Sequence, residues 1–194
     1  MVIYMKTIKN DVTNEIVIKN SRFICHIYKV NTEDEINKYL EECATRYKDY
    51  THLTYAWRLI NKQKYNDDGE PGGTAGAPIM EVLLKNDVIN VLAIVIRYFG
   101  GIKLGAGGLI RAYSKSCRET ISLTTLEEYI LYNYYELISS YDDLKLLNTL
   151  TNDLEIIKKD FNEEIIYTIK IEEEKDTIKD IFNKTNITIK KLEL

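Results

Sequence analysis

Backbone freedom is concentrated in one part of this chain of 194 residues. All nine glycines lie between Gly69 and Gly108, and both prolines, Pro71 and Pro78, lie in the same stretch. Because glycine adopts backbone conformations that other residues avoid and proline removes a donor, this clustering predicts tight turns there. Residues 99–108, which we call the glycine loop, contain five glycines and lead into a basic segment. Such a loop is typical either of an anion-binding backbone or of a crowded junction between elements.

Hydrophobic periodicity predicts both strands and helices before residue 125. Residues 89–98 are almost entirely apolar, which is typical of a strand that is covered on both faces. Thr32 and Glu35 form a capping box, which predicts that a helix begins there. The predicted elements are a hairpin over 15–30 that turns at Asn20, a helix with Ile36, Leu40, Cys43 and Ala44 on one face, a strand over 52–61, a polar loop over 61–76, a short helix from Pro78 to Lys85, the apolar strand, and a helix over 107–121.

The composition changes after Thr125, because the remaining residues include no glycine, proline or arginine. Here the pattern predicts a strand over 129–139, a helix over 142–150, a hairpin over 154–171, a helix over 174–183 and a strand over 187–192. The order β-α-β-β-α-β is typical of the ferredoxin-like unit. We therefore predict an α+β protein with two domains, residues 1–128 and residues 129–194.

Charge is distributed unevenly along the chain. The formal net charge is −4, but residues 1–128 carry 17 Lys and Arg against 16 Asp and Glu, a net of +1. Residues 129–194 carry 9 against 14, a net of −5. No acidic residue occurs between Val88 and Arg118, so positive charge coincides with the glycine loop. A net charge of −4 is not typical of a nucleic-acid-binding protein, but the local distribution of positive charge matters more than the sum.

The cysteines and the terminal sequence predict a cytoplasmic protein. Cys25, Cys43 and Cys117 are widely spaced and include no C-x-x-C pair, so we expect reduced thiols with no disulfide partner. The N-terminus lacks a basic region followed by a long apolar segment, and we expect no secretion signal. The apolar stretch 88–96 is too short to span a bilayer, so we expect no membrane partner.

The glycine loop fails both standard phosphate-binding motifs. Gly100 and Gly105 have the spacing of a Walker A loop, but Ala106 stands where that motif requires lysine. The dinucleotide fingerprint would need a third glycine at the position of Ile110. Backbone N–H groups at the start of a helix still favour an anion, and glycines leave them accessible. The loop therefore predicts an anion site without a named motif.

The helix after the glycine loop has a basic side and an apolar side. At 100° per residue, three basic side chains fall within about 60° of one another, and we call them the basic row: Arg111, Lys115 and Arg118. The opposite side holds Leu109, Tyr113, Cys117 and Ile121, with Ile110 beside them. The predicted anion site comprises Arg97, Lys103, Gly105, Gly107, Gly108 and the basic row.

A second polar cluster is predicted over YNDDGEPGGTAGAP, residues 65–78. Asp67, Asp68 and Glu70 could hold a divalent cation, and His52 could join them or act as a general base. However, D-D-G-E lacks the spaced ligands of an EF-hand, and Asp-Gly and Glu-Pro-Gly are common in turns. We therefore expect no bound metal and no cofactor, and we treat His52 with the three carboxylates as a possible polar cluster.

Several segments resemble the IMPACT family, in its bacterial YigZ-like branch. The resemblance lies in Ser21-Arg22-Phe23, H-x-x-x-A from His52 to Ala56, DDGEPGGTAGAPI over 67–79 and RYFGGIKLGAGGLIRAYS over 97–114. It implies an N-terminal β-α-β domain of a type shared with a ribosomal small-subunit protein and GHMP kinases. It also implies a C-terminal domain like those of translation elongation factor G. Eukaryotic members regulate translation by blocking activation of a stress kinase, and they carry an additional N-terminal interaction domain that is not expected here.

Three hypotheses follow. The first is a non-catalytic protein that binds RNA or a ribosomal component through the predicted anion site. The second is an enzyme acting on a small phosphorylated or anionic substrate, which requires Asp67 and Asp68 to lie near Lys103 and Arg111. The third is that the glycine loop is only a tight junction. The sequence makes no prediction about the oligomeric state.

Overall fold

The computed structural model describes residues 5–192, which form two compact units that divide between Tyr129 and Ile130. Both units mix helices and antiparallel strands, so the fold is α+β. No helix within residues 5–192 is long and apolar enough to cross a membrane. The three cysteines are buried and unpaired in the first unit.

The strands of the first unit are β1 (Lys6–Ile8), β2 (Val12–Ile18), β3 (Ser21–Lys29), β4 (His52–Arg58), β5 (Gln63–Asn66), β6 (Val91–Tyr98) and β7 (Leu126–Glu128). The unit is built on a five-stranded sheet with the order β2-β3-β6-β4-β5, in which every neighbouring pair is antiparallel. The hairpin between β2 and β3 turns at Lys19 and Asn20, which both have positive φ, and this confirms the predicted turn at Asn20. A separate two-stranded sheet joins β1 to β7.

Helices cover both faces of this sheet. The three helices are α1 (Glu33–Arg46), α2 (Gly76–Lys85) and α3 (Ala106–Ile121). Alternate residues of β6 belong to two different cores, because Leu92, Ile94 and Ile96 pack with α1 while Val91, Ala93 and Val95 pack with α2 and α3. The prediction of a strand covered on both faces is confirmed. The capping box of α1 is also confirmed, since Glu35 N–H donates to Thr32 Oγ1 over 3.2 Å.

Two predictions in the first unit are wrong in detail. The segment predicted as a polar loop over 61–76 contains β5, whose four residues are all exposed. An edge strand that is exposed on both faces has no apolar alternation to reveal it. Ala44, predicted on the apolar face of α1, is exposed, whereas Ile36 and Cys43 are buried.

The elements of the second unit are β8 (Tyr132–Ser139), α4 (Leu144–Leu150), β9 (Glu155–Phe161), β10 (Ile165–Glu172), a 3-10 turn (Glu173–Lys175), α5 (Ile178–Phe182) and β11 (Thr188–Leu192). Its strands form a separate four-stranded antiparallel sheet with the order β11-β8-β10-β9. The helix predicted over 174–183 is split between the 3-10 turn and α5. The carboxylate of Asp176 accepts hydrogen bonds from Tyr135 and from the N–H of Ile178, so α5 begins only after it.

Candidate functional site

The glycine loop connects the end of β6 to the start of α3 and is pressed against the β2–β3 turn. A Cβ atom on Gly100 would lie 2.0 Å from the carbonyl carbon of Asn20, so no side chain fits there. The N–H of Gly100 also donates to Ser21 Oγ over 3.1 Å. Part of the glycine clustering thus serves packing, which fixes where α3 begins.

The start of α3 leaves backbone donors without side-chain partners. Gly105 is the N-cap residue with φ of 71°, and no side chain caps the helix. The first turn contains no acidic residue, and the first intrahelical bond of the helix runs from Leu109 N–H to Gly105 O over 2.9 Å. The preceding N–H groups and the helix dipole therefore favour a negative charge.

The next two glycines of α3 differ in what surrounds them. A Cβ on Gly107 would meet only the end of the Arg111 side chain, at 3.6 Å, which is an ordinary contact. A Cβ on Gly108 would come within 3.0 Å of Leu104 Cβ, which is a tight one. Packing therefore accounts for Gly108 better than for Gly107.

The basic row lies on the exposed side of α3, opposite the buried side chains predicted for the core. The Nζ atom of Lys115 is 3.6 Å from Oε1 of Glu119, so one of the three charges of the basic row has an acidic neighbour on the helix surface. Ile110 was predicted beside the apolar side, but it is 40 % exposed. The row forms a positive surface that continues away from the helix start.

Arg97 lies inside the protein. Arg97 is two residues after Val95 on β6, so both side chains face the side of the sheet that α3 covers, and Arg97 is 5 % exposed. The Nη1 atom donates to Glu70 Oε1 over 2.5 Å, and Phe23 and Phe99 each lie 5.5 Å from the guanidinium. The sequence predicted a direct anion contact at Arg97, whereas the structure balances its charge with Glu70.

Glu70 is the centre of a buried network. Its Oε1 atom also accepts a hydrogen bond from Tyr113 over 2.7 Å, and its side chain is 3 % exposed. Burial, together with the adjacent Glu70 carboxylate, raises the pKa of Tyr113, so the phenol stays protonated and donates. Sequence analysis assigned Tyr113 to the core alone, and its position 43 residues from Glu70 carries no signal of this bond.

His52 stands beside this network at the start of β4. Its Nδ1 atom is 2.7 Å from the carbonyl oxygen of Asp68, so Nδ1 carries a proton and donates. The other ring nitrogen, Nε2, is 3.8 Å from Glu70 Oε2. Within residues 5–192, neither Nε2 nor Oε2 makes a hydrogen bond.

Asp67 and Asp68 are engaged by backbone donors. The carboxylate of Asp67 accepts the N–H groups of Gly73, Ala75 and Gly76 over 2.8, 3.0 and 2.8 Å, which holds the loop against the start of α2. Asp68 accepts the N–H of Leu53 over 2.6 Å. Among residues 5–192, no group of three or more His, Cys, Asp or Glu residues is arranged to hold a metal ion.

A cavity of about 360 Å³ opens between the glycine loop and the Glu70 network. Its polar side chains include His52, Glu70, Arg97 and Lys103, and Gly105 and Ala106 bring the helix start to it. Its apolar side is formed by Pro71, Phe99, Leu104 and Leu109. Neither Asp67, Asp68 nor Arg111 lines it, so the arrangement required by the enzyme hypothesis in its original form is not present in this cavity.

The segments that carry the family resemblance converge here. One segment contributes His52, the second contributes Glu70, and the third contributes Arg97 and Tyr113. The strand register explains part of this, because His52 on β4 is paired directly with Arg97 on β6. Three stretches that are far apart in sequence thus form one site.

Comparison with known proteins identifies the family. The family model described as the Impact N-terminal domain matches residues 19–121. The IMPACT family member YvyE of Bacillus subtilis is 40 % identical over 86 % of this chain and 79 % of its own length. The IMPACT family member YigZ of Escherichia coli is 29 % identical, with 79 % of each chain covered. A crystal structure of a hypothetical protein aligns over 100 % of this chain and 99 % of its own, at 26 % identity and a TM-score of 0.71. The chain therefore belongs to the IMPACT family, as a YigZ-like bacterial member.

Proposed function

We propose that this protein binds RNA or a ribosomal component without catalysis, in a role linked to translation regulation. The observation that carries the proposal is the start of α3, which is uncapped, free of acidic residues and continuous with the basic row. Family membership adds the link to translation, because the resemblance implies that eukaryotic relatives regulate that process. The resemblance of the fold to proteins that handle phosphate is only an analogy, and it identifies no binding residue in this chain.

The shape of the positive surface favours an extended polyanion over a single ion. From Arg111 to Arg118 the basic row covers about 10 Å along the helix at 1.5 Å per residue. Lys103 and the free N–H groups extend this surface beyond the start of the helix. Phosphates spaced along a nucleic-acid strand would meet several of these donors at once.

We also infer the fold type of each domain. The first domain, residues 1–128, is of the ribosomal-protein and GHMP-kinase-like type, and the second, residues 129–194, is ferredoxin-like. The second assignment is supported by the β-α-β-β-α-β order and by the sheet order β11-β8-β10-β9, in which the first and third strands of the unit are central. The division of the chain between Tyr129 and Ile130 supports a boundary next to residue 128.

The proposal is tested by removing the basic row. Arg111→Ala, Lys115→Ala and Arg118→Ala are combined, and anisotropy with a labelled single-stranded RNA is measured between about 50 and 200 mM salt. Loss of three phosphate contacts should weaken binding and reduce the slope of log K against log salt by about 2. The same titration with purified ribosomes tests the ribosomal partner.

A matched variant controls for net charge. The control replaces three exposed lysines with alanine and so removes the same number of positive charges. These are Lys38 on α1, Lys62 before β5 and Lys64 in β5. Because α1 covers the sheet face opposite α3, this variant should keep the salt slope close to that of the unmodified protein. Equal slopes for the two triple variants would refute the proposed site.

The enzyme hypothesis survives in a narrower form. His52 or Glu70, and neither Asp67 nor Asp68, would then serve as the general base, because these two line the cavity with Lys103. The observation that favours it is the pair of unbonded acceptors, His52 Nε2 and Glu70 Oε2, 3.8 Å apart. Conversion of a phosphorylated compound to product, followed by chromatography, would select this alternative over non-catalytic binding.

A further inference from the structure

The two oxygens of the Glu70 carboxylate have different surroundings. Oε1 accepts from both Arg97 and Tyr113, whereas Oε2 accepts no hydrogen bond from any residue within 5–192. Oε2 instead faces Nε2 of His52 at 3.8 Å. Since Nδ1 of His52 donates to the Asp68 carbonyl, Nε2 of the neutral imidazole is also an acceptor. Two acceptors therefore face each other with no donor between them.

Such an arrangement favours a donor that enters from the cavity. A carboxylate oxygen on a side chain that is 3 % exposed is costly to leave without a hydrogen bond. A distance of 3.8 Å is too long for a direct bond even when the imidazole carries two protons. Both residues line the cavity, so the donor approaches from the cavity. A hydroxyl group placed there would donate to one acceptor and lie within reach of the other.

The other end of the cavity has the opposite character. Lys103 carries a positive charge, and the start of α3 at Gly105 and Ala106 presents unbonded N–H groups. This end favours an anion, whereas the end at His52 and Glu70 favours a hydrogen-bond donor. Pro71 and the ring of Phe99 also line the cavity, and the ring is 46 % exposed, so a planar apolar group can contact it.

We propose that the cavity binds one ribonucleotide unit. The phosphate lies at Lys103 and the start of α3, a ribose hydroxyl lies between His52 Nε2 and Glu70 Oε2, and the base packs against Phe99. A volume of about 360 Å³ is near the lower end for ligand pockets and suits a single unit. The inference rests on the proposed function only in using the same helix start, and the nucleotide is either free or the end of an RNA chain.

The test compares three ligands by isothermal titration calorimetry: adenosine 5′-monophosphate, its 2′,3′-dideoxy analogue and inorganic phosphate. The monophosphate should bind roughly tenfold to a hundredfold more tightly than the dideoxy analogue, because the analogue leaves both acceptors unpaired. Inorganic phosphate should bind more weakly than either nucleotide. Equal affinities for the two nucleotides, or phosphate as tight as the monophosphate, would overturn the proposal.

Variants assign each end of the ligand. His52→Ala should lower the preference for the ribonucleotide over the dideoxy analogue, because only Glu70 Oε2 then remains to accept from the hydroxyl. Lys103→Ala should weaken both nucleotides by the same factor and keep the preference for the hydroxyl. Lys85→Ala is the control, since Lys85 is exposed on α2, pairs with Glu81 and does not line the cavity. A full hydroxyl preference in His52→Ala would refute the assignment.

Glu70→Gln provides a second variant at the same position, with circular dichroism to establish that it folds. The amide oxygen can still accept from Arg97 and Tyr113, whereas an NH₂ group, which cannot accept, replaces Oε2 at the cavity. The hydroxyl preference should therefore fall in this variant as well. If Glu70→Gln does not fold, His52→Ala still decides the question.

Competition distinguishes the source of the nucleotide. A short RNA that ends in a ribonucleotide should displace the monophosphate at least tenfold better than the same RNA ending in a 2′,3′-dideoxynucleotide if the site takes RNA ends. If the two RNAs compete equally poorly, the site takes free nucleotides. Failure of the basic-row variant to change RNA affinity would remove the proposed function, whereas the hydroxyl preference would stand.

Discussion

Replacing Arg97 with methionine should destabilise the first unit severely. The change keeps most of the side-chain volume but removes the partner of Glu70, whose side chain is 3 % exposed. Loss of one partner from a buried ion pair leaves an uncompensated charge and costs about 3–5 kcal/mol. Domains of this size have total stabilities of only about 5–15 kcal/mol, so the variant should unfold at much lower urea concentration.

The structure supplies both a probe and a control for this measurement. Trp57 is the single tryptophan and is buried in the first unit, so its fluorescence follows the unfolding of that unit alone. Lys62 and Glu33 form a pair of 2.6 Å, almost as short as the 2.5 Å between Arg97 and Glu70, but both side chains are more than half exposed. Lys62→Met should therefore leave the urea midpoint unchanged within error.

A double variant separates the charge from the packing. Arg97→Met combined with Glu70→Met removes both charges, so most of the lost stability should return. The remaining loss should be about 1–3 kcal/mol, because the hydroxyl of Tyr113 then has no acceptor, and adding Tyr113→Phe should remove it. If Arg97→Met were no less stable than Lys62→Met, or if the double variant were less stable than the single one, the reasoning would be wrong.

Two further predictions concern the first unit. Gly100→Ala should cost about 3 kcal/mol or more in the same urea assay, because its Cβ would overlap the backbone of Asn20, whereas Gly72→Ala has open space and should be close to neutral; equal midpoints would contradict this account. Burial, with a smaller effect of the nearby Arg46 charge, lowers the pKa of His26 to about 4 from the ordinary 6.5. The unfolded chain then takes up the proton first, so the stability contributed by neutral His26 is present above about pH 6.5 and is lost as the pH falls towards 4. His26→Gln should flatten this dependence in urea titrations at several pH values, and an unchanged pH profile would refute the assignment.

Much of the fold could be predicted because its signals are local. The capping box at Thr32, the turn at Asn20 and the apolar run of β6 each lie within one short segment, and each is present in the structure. The edge strand β5 was not predicted, because all its side chains face solvent and its pairing with β4 leaves no pattern. The late start of α5 depends on a hydrogen bond between Asp176 and Tyr135 of β8, and a linear sequence pattern does not encode that contact.

The candidate site was predicted in its parts but not in its connections. The segments containing His52 and Glu70 and the glycine loop were each singled out, yet Arg97 was expected to contact the anion directly. Strand parity alone would have pointed Arg97 into the core, but a buried arginine is stable only with a partner, and that partner lies 27 residues away. The role of Tyr113 as a donor depends on the same distant carboxylate.

The position of β6 in the sheet has a consequence for how the chain folds during its synthesis. β3 and β4 leave the ribosome well before β6, yet they do not pair with each other and are joined only when β6 enters between them. Pairing of segments this far apart in sequence is slow and exposes apolar edges until it is complete. Because β6 brings Arg97 opposite His52 and is followed by the glycine loop and α3, the candidate site cannot form before the sheet closes. A nascent chain that has not yet released residue 98 has neither a finished sheet nor a site, so binding competence cannot precede completion of the sheet.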